Sequence, residues 1–332
     1  MITNNLPFEK INRQVFLKSK EQTSPKFGCI PTKRDIKTYI DFGIVNIDKP
    51  SGPTSHQISS YVKNILDLKK SGHSGTLDPK VTGCLPIAFG KATRIVEMLL
   101  NAGKEYVALM HIHKSVEPEK IIQVCKSFVG KIKQLPPIKS NVKRRERFRK
   151  IYYLDVIQID GQDVLFKVGV QAGTYIRKLI HDIGVKLEAG AHMSELRRTK
   201  AGPFNETTLA TLQDLTDAYY YLKEENNEEY IRKIIMPIEK AVEHLPKVWV
   251  ADTAIDSICH GASLKVPGVC KIESDIQIND SVAMMSLKNE LIGIGLAKMI
   301  SKDVIKNKKG IVVKLNKVFM PISTYPKIEK QV

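Results

Sequence analysis

Residues 71–83, SGHSGTLDPKVTG, hold one carboxylate, Asp78, among glycines and small hydroxylated side chains. Gly72, Gly75 and Gly83 permit backbone shapes that other residues resist and let a ligand approach the main chain. Pro79 biases Asp78 away from the helical region, so the segment reads as a loop with an extended residue at its centre. A carboxylate presented in this way, with His73 five residues earlier, has the makings of a nucleophile or a base. On the residues alone, an Asp-Pro that only opens a turn is the alternative. Three other stretches carry usable chemistry. Tyr106 stands at the start of an apolar run. Tyr175 and Arg177 sit two apart in 171–177, QAGTYIR, and share a face if that segment is extended but diverge if it is helical. Residues 143–150 hold six cations against one carboxylate: Lys143, Arg144, Arg145, Arg147, Arg149 and Lys150. Side chains of this kind that neutralise phosphates release counterions and bind without sequence preference; a solvated charged face is the other reading.

The elements that must position these residues follow from their periodicity. Residues 42–48 form a short apolar run that predicts a strand. The turn formers of 49–55 follow, and Thr54 or Ser55 is placed to cap a helix with Ile58, Val62, Ile65 and Leu66 on one face. Residues 85–89 predict a buried strand and 91–101 a helix closed by Gly103. In 104–113 the alternation of Tyr106, Ala108, Met110 and Ile112 predicts a strand. A helix is expected over 117–129. Residues 151–159 and 164–170, joined by Asp160-Gly161, carry a hairpin pattern. A helix is expected from the QAGTYIR loop to about residue 187, and helical character from 209 to about 240 with an acidic break near 224–229. After residue 245 the texture changes to short β-rich runs with glycines, which argues for a small barrel. The first 40 residues are polar and predict little structure.

Composition bounds the function. The chain has 332 residues, which favours two domains, and its 52 Lys+Arg against 35 Asp+Glu give a formal charge of +17. That excess points to a polyanionic partner, nucleic acid first and an acidic membrane surface second. No apolar run approaches the roughly 18–20 residues of a membrane span, and residues 1–14 have no apolar segment of the secretory kind. The five cysteines lack C-x-x-C spacing, which argues against a disulfide framework and a zinc site. A reducing, cytoplasmic setting is the expectation.

The GTLDP-containing string, over a dozen adjacent residues, resembles the catalytic loop of the pseudouridine synthase family that includes bacterial TruB and archaeal and eukaryotic dyskerin. So do the strand followed by KPSGPTSH, the KEY of 104–106, and QAGTYIR. The wording PPIKSNVKRR of 136–145 is similar to the dyskerin branch, and HGASLKVPG of 260–268 resembles the entry of a PUA domain. The resemblance covers about residues 40–325. It implies an α+β fold: a catalytic domain with a central mixed or antiparallel sheet and flanking helices over 41–245, and a small β-barrel PUA domain over 246–332. Residues 1–40 are expected to be an N-terminal extension, packed on the C-terminal module.

The resemblance also implies the site. Asp78 is the catalytic aspartate, Tyr106 stacks on the target base, and Arg177 pairs with Asp78 and favours its ionised form. His73, Tyr175, Leu196 and Lys49 are assigned to the substrate's surroundings, Leu196 as an apolar wall of the base pocket and Lys49 as a support near it. RNA contacts are assigned to the basic stretch 143–150, to Arg197 and Arg198, and to His260 and Gly261 of the C-terminal module. The implied reaction cuts the C1′–N1 bond of uridine, turns the uracil and rejoins it through C5, with no cofactor and no metal. Its target base must leave the stack. The implied partners are H/ACA guide RNA, rRNA and tRNA, with a small zinc-ribbon protein, a Gar-type β-barrel protein and a kink-turn-binding ribosomal-type protein; no membrane is expected. Two alternatives stand beside this: a stand-alone tRNA synthase of the same chemistry, and a non-catalytic RNA-binding scaffold.

Overall fold

The structure, a computed structural model, describes residues 4–135 and 145–327. The chain divides into two compact units. The first comprises residues 1–10, 45–88 and 95–235; the second comprises 11–44, 89–94 and 236–332.

The first unit is built on a mixed sheet. Its main strands are β1 (Gly43–Lys49), β2 (Thr82–Phe89), β3 (Lys104–Ile112), β4 (Gly130–Gln134), β5 (Arg147–Asp160), β6 (Asp163–Val170), β7 (Ala191–Ala201) and β8 (Leu209–Ala210). They lie in the order β8-β1-β2-β7-β3-β6-β5-β4. β8 runs parallel to β1 and β2 parallel to β7, whereas β7, β3, β6, β5 and β4 pair antiparallel. The expected alternation along β3 holds: Ala108, Met110 and Ile112 are buried in the core. Helices α1 (Ser55–Ile65), α2 (Pro118–Lys126), α3 (Ile176–Lys186) and α4 (Leu212–Glu225) each bury an apolar stripe, and it is β5, β6, α2 and α3 that complete that core. Thr54 begins α1 with a capping box closed by Gln57, and Thr211 begins α4 with Asp214.

β7 was not expected from the polar string AHMSELRRTKA, yet it is a central strand between β2 and β3. Its two strand neighbours, rather than its own alternation, hold it extended. Its parallel pairing with β2 brings the chains close at Gly83, which has φ +99°; a Cβ there would lie 2.2 Å from the Arg198 carbonyl oxygen. The expected helix over 91–101 is shorter, a 3₁₀ segment (Gly90–Ile95) and then one α-helix (Val96–Asn101). The helical stretch 209–240 is interrupted after α4, where Asn226 takes the left-handed conformation, and resumes at Glu229–Ile234.

The second unit carries a seven-stranded sheet among the described residues. Its order is Val15–Leu17, Val269–Glu273, Lys247–Val250, Ser281–Ser286, Leu291–Ala297, Ile311–Val318 and Leu264–Lys265. Register shifts at Trp249/Val250, Leu264/Lys265, Met284/Met285 and Ile294/Gly295 bend it into a curled half-barrel. Residues of the N-terminal segment belong to this unit: Val15–Leu17 extends the sheet, and Asp252 accepts hydrogen bonds from Thr23 Oγ1 (3.0 Å) and the Ser24 amide (2.8 Å). In the turn between Ser281–Ser286 and Leu291–Ala297 the buried Glu290 accepts from Tyr325 Oη, Ser286 Oγ and the Cys29 amide. These partners satisfy a carboxylate that would otherwise be costly to bury.

Candidate active site

The Asp78 loop is anchored from below by two side chains of the preceding segment. Lys49 ends β1 with no exposed surface, and its ammonium donates to the carbonyl oxygens of Pro50, Pro79 and Val81, each at 2.8 Å. Ser55, also buried, accepts from the Leu77 amide (2.8 Å) and donates to the Leu77 carbonyl (3.2 Å). The Gly52 amide donates to the Pro79 carbonyl, and a turn closes from the Val81 amide to the Asp78 carbonyl. The backbone on both sides of Asp78 is thereby tied down while its side chain stays 55% exposed. Burial pushes the Lys49 pKa down, Arg198 adds to this and Asp78 opposes it.

Asp78 faces Arg177. The Arg177 Nη2 donates to Asp78 Oδ2 at 2.5 Å, and the arginine side chain is 58% exposed. Exposed ion pairs contribute at most about 1 kcal/mol, so stability alone does not account for so firmly held a loop. Arg177 lies in the first turn of α3 and Tyr175 is its extended N-cap residue, so the two side chains diverge. Tyr175 is set by Gln134 of β4, whose side-chain amide accepts from the Tyr175 amide (3.0 Å) and donates to its carbonyl (3.1 Å). Nothing in the sequence signalled this use of Gln134.

Tyr106 and Leu196 are both half-buried and pack against the same core cluster, from the neighbouring strands β3 and β7. The flanking members of the KEY triplet point the other way or inward. Lys104 is buried and caps the helix Val96–Asn101 and the turn after it by donating to the carbonyls of Leu99, Leu100 and Ala102. Glu105 is buried and accepts from Tyr153 Oη and Thr199 Oγ1. His73 is half-buried with its ring edge-on to His56, 4.7 Å between centroids. Burial, then His56 and Arg198, holds its pKa down to about 4, so it is neutral at physiological pH.

Three of the assigned cations turn to the chain itself. Lys49 is the support near the base that the resemblance implies, its donors taken by the loop's carbonyls. Arg198, assigned to RNA, is 1% exposed and donates to the carbonyls of Cys84 (2.7 Å) and Gly75 (3.3 Å). Arg197 forms a bidentate pair with Asp48 (2.9 and 3.1 Å) and donates from Nε to Glu206 (2.7 Å), so two carboxylates neutralise its charge and hold its pKa up. In each case a cation that looked available binds this chain's own backbone or acids.

The described part of the basic stretch, 145–150, leads into β5, which pairs antiparallel with β4. Lys143 and Arg144 lie outside the described residues. Arg145 and Lys150 are exposed, Arg147 and Arg149 half-buried. Lys131 on the facing strand sits 4.2 Å from the ring centre of Phe148, which is 58% exposed, and Lys133 pairs with Glu146 at 2.7 Å. Exposed cations interleaved with an exposed aromatic ring suit a phosphate backbone with unstacked bases. In the second unit, His260 and Gly261 are exposed where the helix Asp252–Cys259 ends; His260 Nδ1 lies 2.9 Å from the Asp256 carbonyl, and Gly261 has φ +101°. Gly261 thus serves the helix end.

Comparison with known proteins follows the same lines. Residues 63–176 match the N-terminal domain of the TruB family pseudouridylate synthases, 177–243 the tRNA pseudouridylate synthase B C-terminal domain, 246–319 the PUA domain and 3–59 the DKCLD domain. The probable tRNA pseudouridine synthase B of Pyrococcus furiosus (strain ATCC 43587 / DSM 3638 / JCM 8422 / Vc1) is 57% identical, over 96% of this chain and 94% of that one. The protein of the same name from Nanoarchaeum equitans (strain Kin4-M) is 52% identical, over 97% and 92%. Among solved structures, a chain of a Cbf5-Nop10-Gar1 complex superposes with a TM-score of 0.93 at 56% identity, covering 98% of this chain and 99% of that one. A chain of an H/ACA RNP bound to a substrate RNA containing 2′-deoxyuridine gives 0.92 at 54%, covering 97% and 99%.

Proposed function

The chain belongs to the TruB family of pseudouridylate synthases, and from that premise we propose that Asp78, held by its anchored loop and paired with Arg177, is the group that acts on the sugar of a flipped uridine. The enzyme is an isomerase: the uracil detaches at N1, turns and rejoins C1′ through C5, losing a proton from C5 and gaining one at N1. The carboxylate either attacks C1′ or assists loss of a sugar proton; both roles need it ionised and accessible. Tyr106 supplies a ring for the base to stack on, worth about 1–3 kcal/mol, and Leu196 an apolar wall beside it. Arg177 orients Asp78, while Lys49 and Ser55 fix the loop from beneath. The observation that carries this reading is the exposed Asp78–Arg177 pair on a backbone tied at Leu77, Pro79 and Val81.

The substrates on this reading are tRNA, as in the names of the relatives, and rRNA addressed by H/ACA guide RNA in a particle with Nop10- and Gar1-type proteins, as in the solved complexes. A kink-turn-binding protein completes that particle. The exposed cations of the β4–β5 strand pair grip the RNA backbone, and the PUA unit holds RNA through the face bearing His260 and Gly261.

The test is pseudouridine mapping on tRNA transcripts incubated with the protein alone, and on guided rRNA fragments incubated with the reconstituted particle. Product is expected in both, and none with Asp78→Asn. Product only with the particle restricts the activity to guided RNA; product made by Asp78→Asn at the rate of the unaltered protein overturns the assignment.

A further inference from the structure

Three histidines that the proposed reaction does not use meet at one end of the central sheet. His111 is in β3, His113 lies just beyond it, and His192 is in β7; in β6, Asp163 faces His111 across the strand pair. The His113 amide donates to the Gly190 carbonyl at 3.0 Å, which brings the end of β3 against the start of β7. His113 Nε2 and His192 Nδ1 are 2.9 Å apart, and His111 Nδ1 lies 2.7 Å from Asp163 Oδ1. The ring centroids are 5.1 Å apart for His113–His192, 5.3 Å for His111–His192 and 6.3 Å for His111–His113.

These distances match a particular chemistry. Three imidazoles around a tetrahedral Zn²⁺, with Zn–N of about 2.0–2.1 Å, put their ring centroids about 5 Å apart and their ligating nitrogens roughly 3.3 Å apart. Two of the three centroid separations are already there, and so, within a few tenths of an ångström, is the His113–His192 nitrogen pair. Asp163 supplies what metal-binding histidines usually have, a carboxylate on the ring's other nitrogen; it would fix the tautomer that leaves Nε2 of His111 for a ligand. Among the described residues no group of three His, Cys, Asp or Glu side chains stands, as it is, where it could hold a metal ion. The third ring, His111, must therefore turn by the excess of its 6.3 Å separation. Its 34% exposure leaves it room to do so.

We propose that His111, His113 and His192, with Asp163 behind His111, form a surface site for a borderline divalent transition-metal ion of the zinc class, the fourth position being left to water. The metal replaces the hydrogen bond between His113 and His192, whose proton moves to the other nitrogen of the ring that carried it. A bound ion would tie β3 to β7, the two strands that carry Tyr106 and Leu196, and would stabilise the fold by mass action.

Zinc chloride titrated calorimetrically into the full-length, untagged protein should show one site that the His113→Gln/His192→Gln double variant lacks. Asp163→Asn should weaken it about 10–100-fold, as expected for loss of a carboxylate behind a ligand. Cobalt(II) bound in its place should show tetrahedral d–d absorption without a thiolate charge-transfer band. A second readout avoids substitution altogether: zinc should protect His111, His113 and His192 of the unaltered protein from carbethoxylation, mapped by peptide mass spectrometry. Unchanged zinc binding in the double variant, a thiolate band, or equal modification of the three histidines with and without zinc would each overturn the proposal.

Discussion

Two cationic regions of the first unit look alike as strings of Lys and Arg but use their charges in opposite directions. Beneath the Asp78 loop, Lys49 and Arg198 are buried and donate to backbone carbonyls, and Arg197 is held between Asp48 and Glu206. At the β4–β5 strand pair, Arg145 and Lys150 point to solvent beside an exposed Phe148. A tally of cations therefore does not locate an RNA surface. The inward cations are fixed in place by carbonyls and carboxylates that cannot leave, and they shape a loop. The outward ones keep their hydration until a phosphate replaces it. The first kind governs stability and geometry; the second governs affinity and its salt dependence.

That contrast can be broken most sharply at the group the inward cations serve. Asp78→Asn keeps the shape of the loop and removes its carboxylate. Turnover on RNA should fall by about a thousandfold or more, as when an enzyme loses the group that acts at the reacting bond, with RNA affinity within a few-fold of the parent. Single-turnover pseudouridine assays and filter binding measure the two quantities; a variant impaired in both to the same degree would place Asp78 in binding instead.

Next in size is the removal of an inward cation. Lys49→Met takes a donor from three carbonyls; Pro79 keeps the Gly52 amide, but the buried Val81 carbonyl is left unmet, and an unmet buried group costs about 1–3 kcal/mol, so a loss of stability of that order should follow. Urea midpoints read this directly. Lys150→Met, the same change on the outward side, should move the midpoint hardly at all, and equal shifts for the two would erase the distinction.

The outward cations should show themselves in salt dependence. Arg145→Gln with Lys150→Gln should lower the slope of log K against log salt by roughly 0.7–0.9 for each phosphate that is no longer neutralised. The drop in affinity should be the same for target and scrambled RNA, because phosphate contacts carry no sequence information. A slope identical to the parent's would make this stretch a merely solvated face.

The smallest effect concerns pH. His73 titrates near 6.5 when unfolded and at about 4 when folded, its burial being the main cause. Between those values the unfolded chain binds more protons, so this group lowers stability as pH falls from about 6.5 to 4 and leaves it unaffected above that window. His73→Gln should flatten the fall in urea midpoint between pH 7 and pH 5. An unchanged fall would mean that His73 is not the group responsible.

How much of this was legible beforehand depended on how local its cause is. The alternation of Tyr106, Ala108, Met110 and Ile112, the capping residue Thr54 before an apolar helical stripe, and the two-stranded pattern around Gly161 each depend on neighbours a few positions away, and the strands and helix appear where that spacing puts them. The string around Asp78 was legible for the same reason, as an uninterrupted run of residue types. The strand Ala191–Ala201 was not, because its extended shape comes from β2 and β3 on either side of it. Nor was the pairing of Val15–Leu17 with residues 271–273, which closes across more than 250 positions. Only the tertiary structure decided that Lys49 and Arg198 turn inward and that Arg145 and Lys150 turn outward. A long cationic side chain has no preference of its own between a carbonyl, a carboxylate and water. Its choice is made by which partners the rest of the chain delivers within about 3 Å, and by whether water has been excluded from that place.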